Sequence, residues 1–514
     1  MNGAESLVHT LLKGSVNVCF TNPGTSEMHF VAALDKIEGM RCVLCLFEGV
    51  VSGAADGYAR MTGKPAATLL HLGPGLGNAL ANLHNAKKAR SPIVNVVGEH
   101  ATYHIQYNTP LTSDIAGIAR PVSHWVKAAP DAASVGACAA EAIAAAHTAP
   151  GQIATLILPA DTAWGDGGTV GTVPAVPERE MVDERLVDAA AAILKSGEPA
   201  LLLLGAGALL QEPLEAAGTI AAATGCQVMA EGMNARLQRG AGRLAVNRIP
   251  YPVPQALDVL KPYRRIILVG AGRPAGFFAY PGMPSLLAPE GCEILTLALP
   301  EQDCAAALQA LADAVGAKPG AAKLQKPARP PRPTGALTLD SIAAAIGALL
   351  PENAIVADES VTTGRGFYPL TAGAPPHDWL QNRGGSIGLG MPLATGAAVA
   401  CPDRKVVCLE GDGSGMYTLQ ALWTQARENL DVTTLVFANR SYNILKGELA
   451  NVGAGNPGPR AHDMLTLDRP NIDWVSIAAG MGVEAEKAHD ADELCRAFAR
   501  GLAVKGPYLV EVVI

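Results

Sequence analysis

An α/β protein of three doubly wound units, each built on a parallel sheet, is the fold class this sequence predicts. Short apolar runs alternate with Ala-rich helical patterns along the whole chain. The runs are continuously apolar, as in strands covered on both faces, and do not alternate like half-exposed strands. Two breaker-rich stretches without periodicity, WGDGGTVGTVPAVPERE (164–180) and AKPGAAKLQKPARPPRPTGA (317–336), divide the alternation into three parts. The expected domains are therefore 1–165, 181–317 and 335–514.

In chain order, MNGAESLVHTLLKGSV reads as an amphipathic helix without a basic leader region or cleavage site. CVLCLF, AATLLHLG, IVNVVGE and ATLILPA read as buried strands of the first part. ALLLLGAGA, QVMAEG, RIILVGAG and EILTLAL do so in the second, and AIVADES, VVCLEGDG, TTLVFANR and YLVEVVI in the third. The 514 residues are 49% hydrophobic and 17% charged, with 55 Gly and a formal net charge of −8, and can bury a large core. No block of Lys and Arg argues for nucleic acid, and no apolar run reaches the length of about 20 residues that spans a bilayer. Of ten scattered cysteines only Cys42 and Cys45 have CxxC spacing, and no second pair completes a zinc site. They read as core cysteines of a buried strand in a reduced, cytoplasmic enzyme.

The chemistry concentrates in VVCLEGDGSGMYTLQALWTQARENLDVTTLVFANRSYNIL. Asp412 follows one strand end between Gly411 and Gly413, which permit a sharp turn and close approach of a ligand. Ser414 opens a helix whose first N–H groups favour an anion. About 25 residues on, Asn439 follows the next strand end. One carboxylate, one carboxamide oxygen, a nearby backbone carbonyl and phosphate oxygens make an all-oxygen set that suits Mg²⁺. A bare GDG is an ordinary turn. The pair at two strand ends, with a helix between, points to a diphosphate and its Mg²⁺.

The stretch resembles the cofactor motif of the thiamine-diphosphate enzymes. That resemblance implies Asp412, Asn439 and the carbonyl of Ser441 as Mg²⁺ ligands, with Gly411, Gly413 and Ser414 against the diphosphate. Ala438 departs from the family's usual pair of Asn residues, but the metal-binding position is kept. CLFEGVVSGAADGYARMTGKPA (45–66) is similar to the family's glutamate motif. Glu48 could be no more than a helix-start carboxylate stabilised by the helix dipole. The resemblance makes it the group that hydrogen-bonds a pyrimidine nitrogen and moves the proton needed for cofactor activation. RGGSIGLGMPLATGAA (383–398) resembles the segment that braces the bent cofactor, with Gly385 offering a carbonyl and Ile387 wedged between the rings. In ADESVTTG (357–364), Thr362 matches a diphosphate-side contact.

Within the family, acetolactate synthase and benzoylformate decarboxylase are the two relatives the chain resembles. NPGTSE places Thr25 where the decarboxylase has a substrate-contacting Ser, and TLLHLGPGLGNAL places His71 at an active-site His. Gly73-Pro74-Gly75 is more like the synthase. The decarboxylase's second His has no counterpart, and GAGRPAGFFAYPG (270–282) offers Phe277 and Phe278 instead. His71 could equally be a hydrogen-bonded core residue. The expectation is a thiamine-diphosphate- and Mg²⁺-dependent enzyme on a 2-oxo acid. Its active sites would form between subunits of a homodimer or homotetramer. FAD is a disfavoured further cofactor, because neither Gly205-Ala206-Gly207 nor Gly270-Ala271-Gly272 extends to a full GxGxxG. A flavin- or NAD-dependent oxidoreductase and a non-catalytic homologue are the rival readings.

Overall fold

Three sheets organise the chain, which a computed structural model describes at residues 1–455 and 457–514. The first comprises β1 (Val18–Thr21), β2 (Arg41–Leu44), β3 (Ala66–Leu70), β4 (Ile93–Glu99), β5 (Trp125–Ala128) and β6 (Ile153–Pro159), all parallel, in the order β2-β1-β3-β4-β6-β5. The second takes β7 (Ala200–Leu204), β8 (Gln227–Ala230), β10 (Asn247–Arg248), β11 (Arg265–Val269) and β12 (Glu293–Ala298), in the order β10-β8-β7-β11-β12. From the same stretch of chain, β9 (Leu237–Arg239) leaves for the third sheet. There it joins β13 (Ile355–Glu359), β14 (His377–Gln381), β15 (Val406–Gly411), β16 (Val432–Ala438), β17 (Glu484–Ala488) and β18 (Tyr508–Val513), in the order β17-β18-β16-β15-β13-β14-β9. The β9–β14 pair is antiparallel. The apolar runs read from the sequence all lie on strands. The fully buried ones, such as β3, β4, β6 and β7, are central, where helices cover both faces.

Each sheet reverses its winding between two inner strands, whose ends part there to leave a crevice. The reversals fall between β1 and β3, between β7 and β11, and between β13 and β15. His71 follows β3, Gly205 and Gly270 follow β7 and β11, and Asp412 follows β15. His71, the two Gly-Ala-Gly turns and Asp412 thus sit at the topological switch points, whereas Glu48 follows β2 and Asn439 follows β16.

The first and third sheets are joined by helix Glu48–Thr62 and helix Gly390–Ala400, both buried along almost their whole length. Small residues allow their backbones to touch. A Cβ at Gly396 would lie 1.8 Å from the Ala54 carbonyl oxygen, and one at Gly57 would lie 2.2 Å from that of Leu393. A larger residue at either place forces the helices apart, an overpacking cost of about 1–3 kcal/mol. The amino-terminal helix Gly3–Lys13 carries a capping box of Asn2 and Glu5, as its amphipathic pattern suggests. One cysteine reading needs correction. Cys45 is buried, but Cys42 is exposed, because β2 is the edge strand of its sheet.

At the start of β14, His377 is fully buried and its Nδ1–H donates to the Pro375 carbonyl at 2.7 Å. Burial, with the Arg239 guanidinium nearby, pushes its pKa down to about 3. The folded protein keeps this ring neutral while the unfolded chain protonates it near the ordinary value of about 6.5. Stability from this group is therefore full above pH about 6.5. It falls by about 1.4 kcal/mol per pH unit as pH drops toward 3. Urea denaturation at pH 7, 6 and 5 will show that slope, and His377→Asn will lower it by about one proton. An unchanged slope in the variant contradicts the assignment.

Candidate active site

At the first crevice, parallel order brings together residues far apart in sequence. His71 ends β3 and caps helix Leu72–Ala89, while Glu27 closes the short turn Thr25–Glu27 after β1. The His71 Nδ1 lies 3.0 and 3.2 Å from the two Glu27 carboxylate oxygens. Glu27 is only 2% exposed and is held by the Gly24 N–H at 2.8 Å and the Ser26 hydroxyl at 2.6 Å. A buried carboxylate against Nδ1 fixes the ring's orientation and directs the proton on that nitrogen toward Glu27, leaving Nε2 for another partner. Thr25 faces solvent, and its side chain makes no hydrogen bond among the described residues. Ser26, its neighbour, is the hydroxyl residue beside the ring, 3.5 Å from Nδ1.

Glu48 is the first residue of its helix, with Phe47 as the cap. It is 6% exposed, and its Oε2 accepts a hydrogen bond from Asn78 Nδ2 at 3.0 Å. Asn82, one turn further along the same helix as Asn78, donates to the carbonyls of Gly49 and Gly388 at 2.8 and 3.1 Å. Asn85 donates to the Ser386 carbonyl at 2.8 Å and accepts from its N–H at 3.1 Å. One face of this first-domain helix therefore holds both the Glu48 helix and the loop that carries Gly385 and Ile387.

At the third crevice, Asp412 is 4% exposed. Its Oδ1 accepts from the Gly413 N–H at 2.9 Å and its Oδ2 from the Arg440 N–H at 2.6 Å. The second bond ties the two halves of the GDG…N motif together. Asn439 Oδ1 accepts from the Ser441 N–H at 2.9 Å. Burial pushes the Asp412 carboxyl up to about 6, against the opposing pull of these N–H groups. No side-chain ammonium or guanidinium forms an ion pair with it among the described residues. A buried carboxylate without a paired cation, tied through the Arg440 N–H to the turn that follows Asn439, fits a hard divalent cation. No cluster of three His, Cys, Asp or Glu suited to a metal occurs among the described residues. The Ser414 hydroxyl turns inward to Glu410 and to the Gly411 carbonyl at 3.2 Å, so only its backbone N–H remains for an anion.

Strain marks the same strand ends. Leu72 after His71, Val361 after Ser360 and Arg440 after Asn439 have φ of 48°, 49° and 55°. A β-branched residue such as Val361 is unfavourable there, and such strain gathers where surrounding structure imposes it. Thr362 follows in this turn and is half-buried. Gly385 has φ of 80°, and Ile387 is half-buried in the same loop.

Two carboxyl groups under this crevice went unread in the sequence. Glu359 and Glu410 face each other at the ends of β13 and β15. Glu359 Oε2 accepts three N–H groups, from Gly388, Leu389 and Gly390, at 3.0, 2.8 and 2.9 Å, and Oε1 accepts from Asn382 at 2.7 Å. Glu410 accepts fewer, from the Gly411 N–H at 3.1 Å and the Ser414 hydroxyl. Burial raises both carboxyls, and the Glu359 charge beside it pushes Glu410 up further. The available signal was an acidic residue ending each apolar run, in IVADE and VVCLE.

The thiamine pyrophosphate enzyme N-terminal TPP-binding domain model matches residues 1–121, and the C-terminal TPP-binding domain model matches 366–512. IlvX of Mycobacterium tuberculosis, named for an acetolactate synthase large subunit, is 54% identical over 100% of this chain and 99% of its own. The chain belongs to the thiamine pyrophosphate enzymes. More distant members include benzoylformate decarboxylase of Pseudomonas aeruginosa, 29% identical over 98% of this chain and 97% of that protein. Acetolactate synthase isozyme 1 large subunit of Escherichia coli is 26% identical over 94% and 88%. The solved structure of a Rhodococcus jostii RHA1 thiamine diphosphate-dependent 4-hydroxybenzoylformate decarboxylase superposes with a TM-score of 0.85. It is 23% identical and covers 99% of this chain and 98% of that one. It shares the three-sheet fold of this family member, and no helix among the described residues is long and apolar enough to cross a membrane.

Proposed function

We propose that the protein is a thiamine-diphosphate- and Mg²⁺-dependent enzyme that decarboxylates a 2-oxo acid, with release of an aldehyde or transfer to a second carbonyl. The observation that carries this reading is the bond from the Arg440 N–H to Asp412 Oδ2, which closes the two motif halves into one oxygen-lined site. Asp412, Asn439 and the Ser441 carbonyl hold Mg²⁺. Backbone groups of Gly411, Gly413 and Ser414, with Thr362, hold the diphosphate, while Gly385 and Ile387 position the rings. When bound, thiamine diphosphate supplies a nucleophilic carbon and an electron sink for loss of CO₂.

The chain's own groups do the proton work. Glu48, buried and oriented by Asn78, would hold and exchange a proton at the pyrimidine of the bound cofactor. His71, oriented by Glu27, presents Nε2 to substrate or product, and Thr25 lies on the same turn. The acidic site of the central sheet supports a reading without flavin. Glu231 pairs with Arg383 at 2.7 Å, and its other oxygen stands over Gly205, where a dinucleotide phosphate would approach.

Exposed apolar residues around the site support assembly into a homodimer or homotetramer. Leu46 precedes Glu48, Val361 precedes Thr362, and Met416 and Tyr417 follow the GDGSG turn, all of them exposed in the single chain. The relatives named for acetolactate synthase and benzoylformate decarboxylase bracket the chemistry.

The test is incubation of purified protein with thiamine diphosphate, Mg²⁺ and a panel of 2-oxo acids, with products identified by NMR. Acetolactate from pyruvate or benzaldehyde from benzoylformate is the expected kind of product. Bound cofactor with no CO₂ from any acid contradicts the reading.

A further inference from the structure

We propose that Phe277 and Phe278 form the wall that receives the substrate's side chain, and that the preferred 2-oxo acid carries a bulky, flat apolar group. This rests on the 2-oxo acid reading above. The pair lies on the loop after β11, yet it reaches the third crevice. A Cβ at Gly385 would lie 2.6 Å from the Phe277 ring tip, so the ring packs directly on that glycine. Phe278 meets Phe277 edge to face, with centroids 4.7 Å apart at 79°, and Tyr251 adds a third ring 5.6 Å from Phe277.

Both phenylalanines are solvent-accessible, 43% and 53% exposed. The chain has only eight Phe. Five of them, Phe20, Phe30, Phe367, Phe437 and Phe498, are fully buried, and Phe47 is half-buried. Two adjacent exposed rings at a crevice therefore stand out against the chain's own use of the residue. The rings are also held. The Gly276 N–H donates to the Ser285 carbonyl and the Leu287 N–H to the Pro274 carbonyl, each at 2.9 Å, which pins the loop. The Tyr251 hydroxyl reaches Glu448 Oε1 at 3.4 Å, on the helix that follows Asn439 and Ser441.

Rings fixed in advance bind a flat apolar group by stacking and edge contacts at little ordering cost. A methyl group, as in pyruvate, leaves most of the two faces wet.

The experiment compares wild type, Phe278→Ala and Phe277→Leu, each first checked for native melting and for thiamine diphosphate affinity by tryptophan fluorescence. The wild type is expected to give a higher kcat/KM for benzoylformate than for pyruvate. Phe278→Ala is expected to lower the benzoylformate-to-pyruvate ratio by about 10-fold or more, chiefly through KM. An unchanged ratio, or equal losses for both acids, overturns the proposal. Binding of 4-fluorobenzoylformate, read by ¹⁹F line broadening, separates this inference from the reading beneath it. If no acid is turned over but wild type broadens the signal and Phe278→Ala does not, the wall stands and the decarboxylase reading falls. If the wild type does not broaden the signal, the wall falls.

Discussion

Glu48→Gln will lower turnover by about 10²- to 10⁴-fold, the range that a positioned acid–base group contributes, while thiamine diphosphate still binds. The variant keeps shape and volume, and its carboxamide oxygen can still accept from Asn78 Nδ2, which now holds the carboxylate at 3.0 Å. The helix behind it, packed on Gly390–Ala400, loses no contact. What is lost is the buried, ionisable carboxyl that the proposed activation step requires. The measurement pairs CO₂ release with a titration of cofactor affinity, and adds NMR of hydrogen–deuterium exchange at the bound thiazolium carbon. Slow exchange with near-normal affinity is the expected combination. Normal exchange with slow turnover would place Glu48 outside activation.

On the proposed Mg²⁺ site, Asp412→Ala removes the one charged ligand and will abolish Mg²⁺-dependent cofactor binding, with an affinity loss on the order of 100-fold or more. Burial already holds this carboxyl up at about 6, and its partners are two backbone N–H groups. The proposed divalent cation would supply the missing charge. The variant also frees the Arg440 N–H, so the turn at Arg440, strained at a φ of 55°, loosens. Calorimetry of cofactor binding at several Mg²⁺ concentrations checks this, with Asp412→Asn as the control that keeps an acceptor for the Arg440 N–H. If both variants bind cofactor as the wild type does, Asp412 is not a metal ligand.

Most buried strands were legible because a strand covered on both faces must be apolar throughout. The buried β1, only four residues long and ending in Thr21, was missed. The other strands that escaped notice are of other kinds. β17 is an edge with exposed Glu484 and Lys487. β14 begins His-Asp, and this polar pair is tolerated in the interior only because Arg236 and Arg404 grip Asp378 at 2.7 and 2.6 Å. Nothing in HDWLQ announces those arginines. β9 leaves the middle stretch for the third sheet, a choice made by tertiary pairing.

The site divides in the same way. Asp412 and Asn439 drew attention because one strand–helix–strand unit carries both at strand ends, and Glu48 because an acidic residue marks a strand-to-helix turn. The Glu27–His71 pair was only half-read. His71 was visible at a strand end, but its partner is 44 residues away and meets it only because β1 and β3 are neighbours. Thr25 drew attention by its position in a motif, whereas proximity to the His71 ring selects Glu27 and Ser26. The contact of Phe277 with Gly385 depends on packing between two sheets, and no local pattern encodes it.

Binding of thiamine diphosphate through Mg²⁺ held at Asp412 and Asn439 is tested most directly by isothermal titration of the apo-protein with thiamine diphosphate, with Mg²⁺ and then with excess EDTA. Saturable binding, one cofactor per chain, that EDTA abolishes and Mg²⁺ restores is the predicted result. No saturable heat under either condition, or binding indifferent to EDTA, would contradict it.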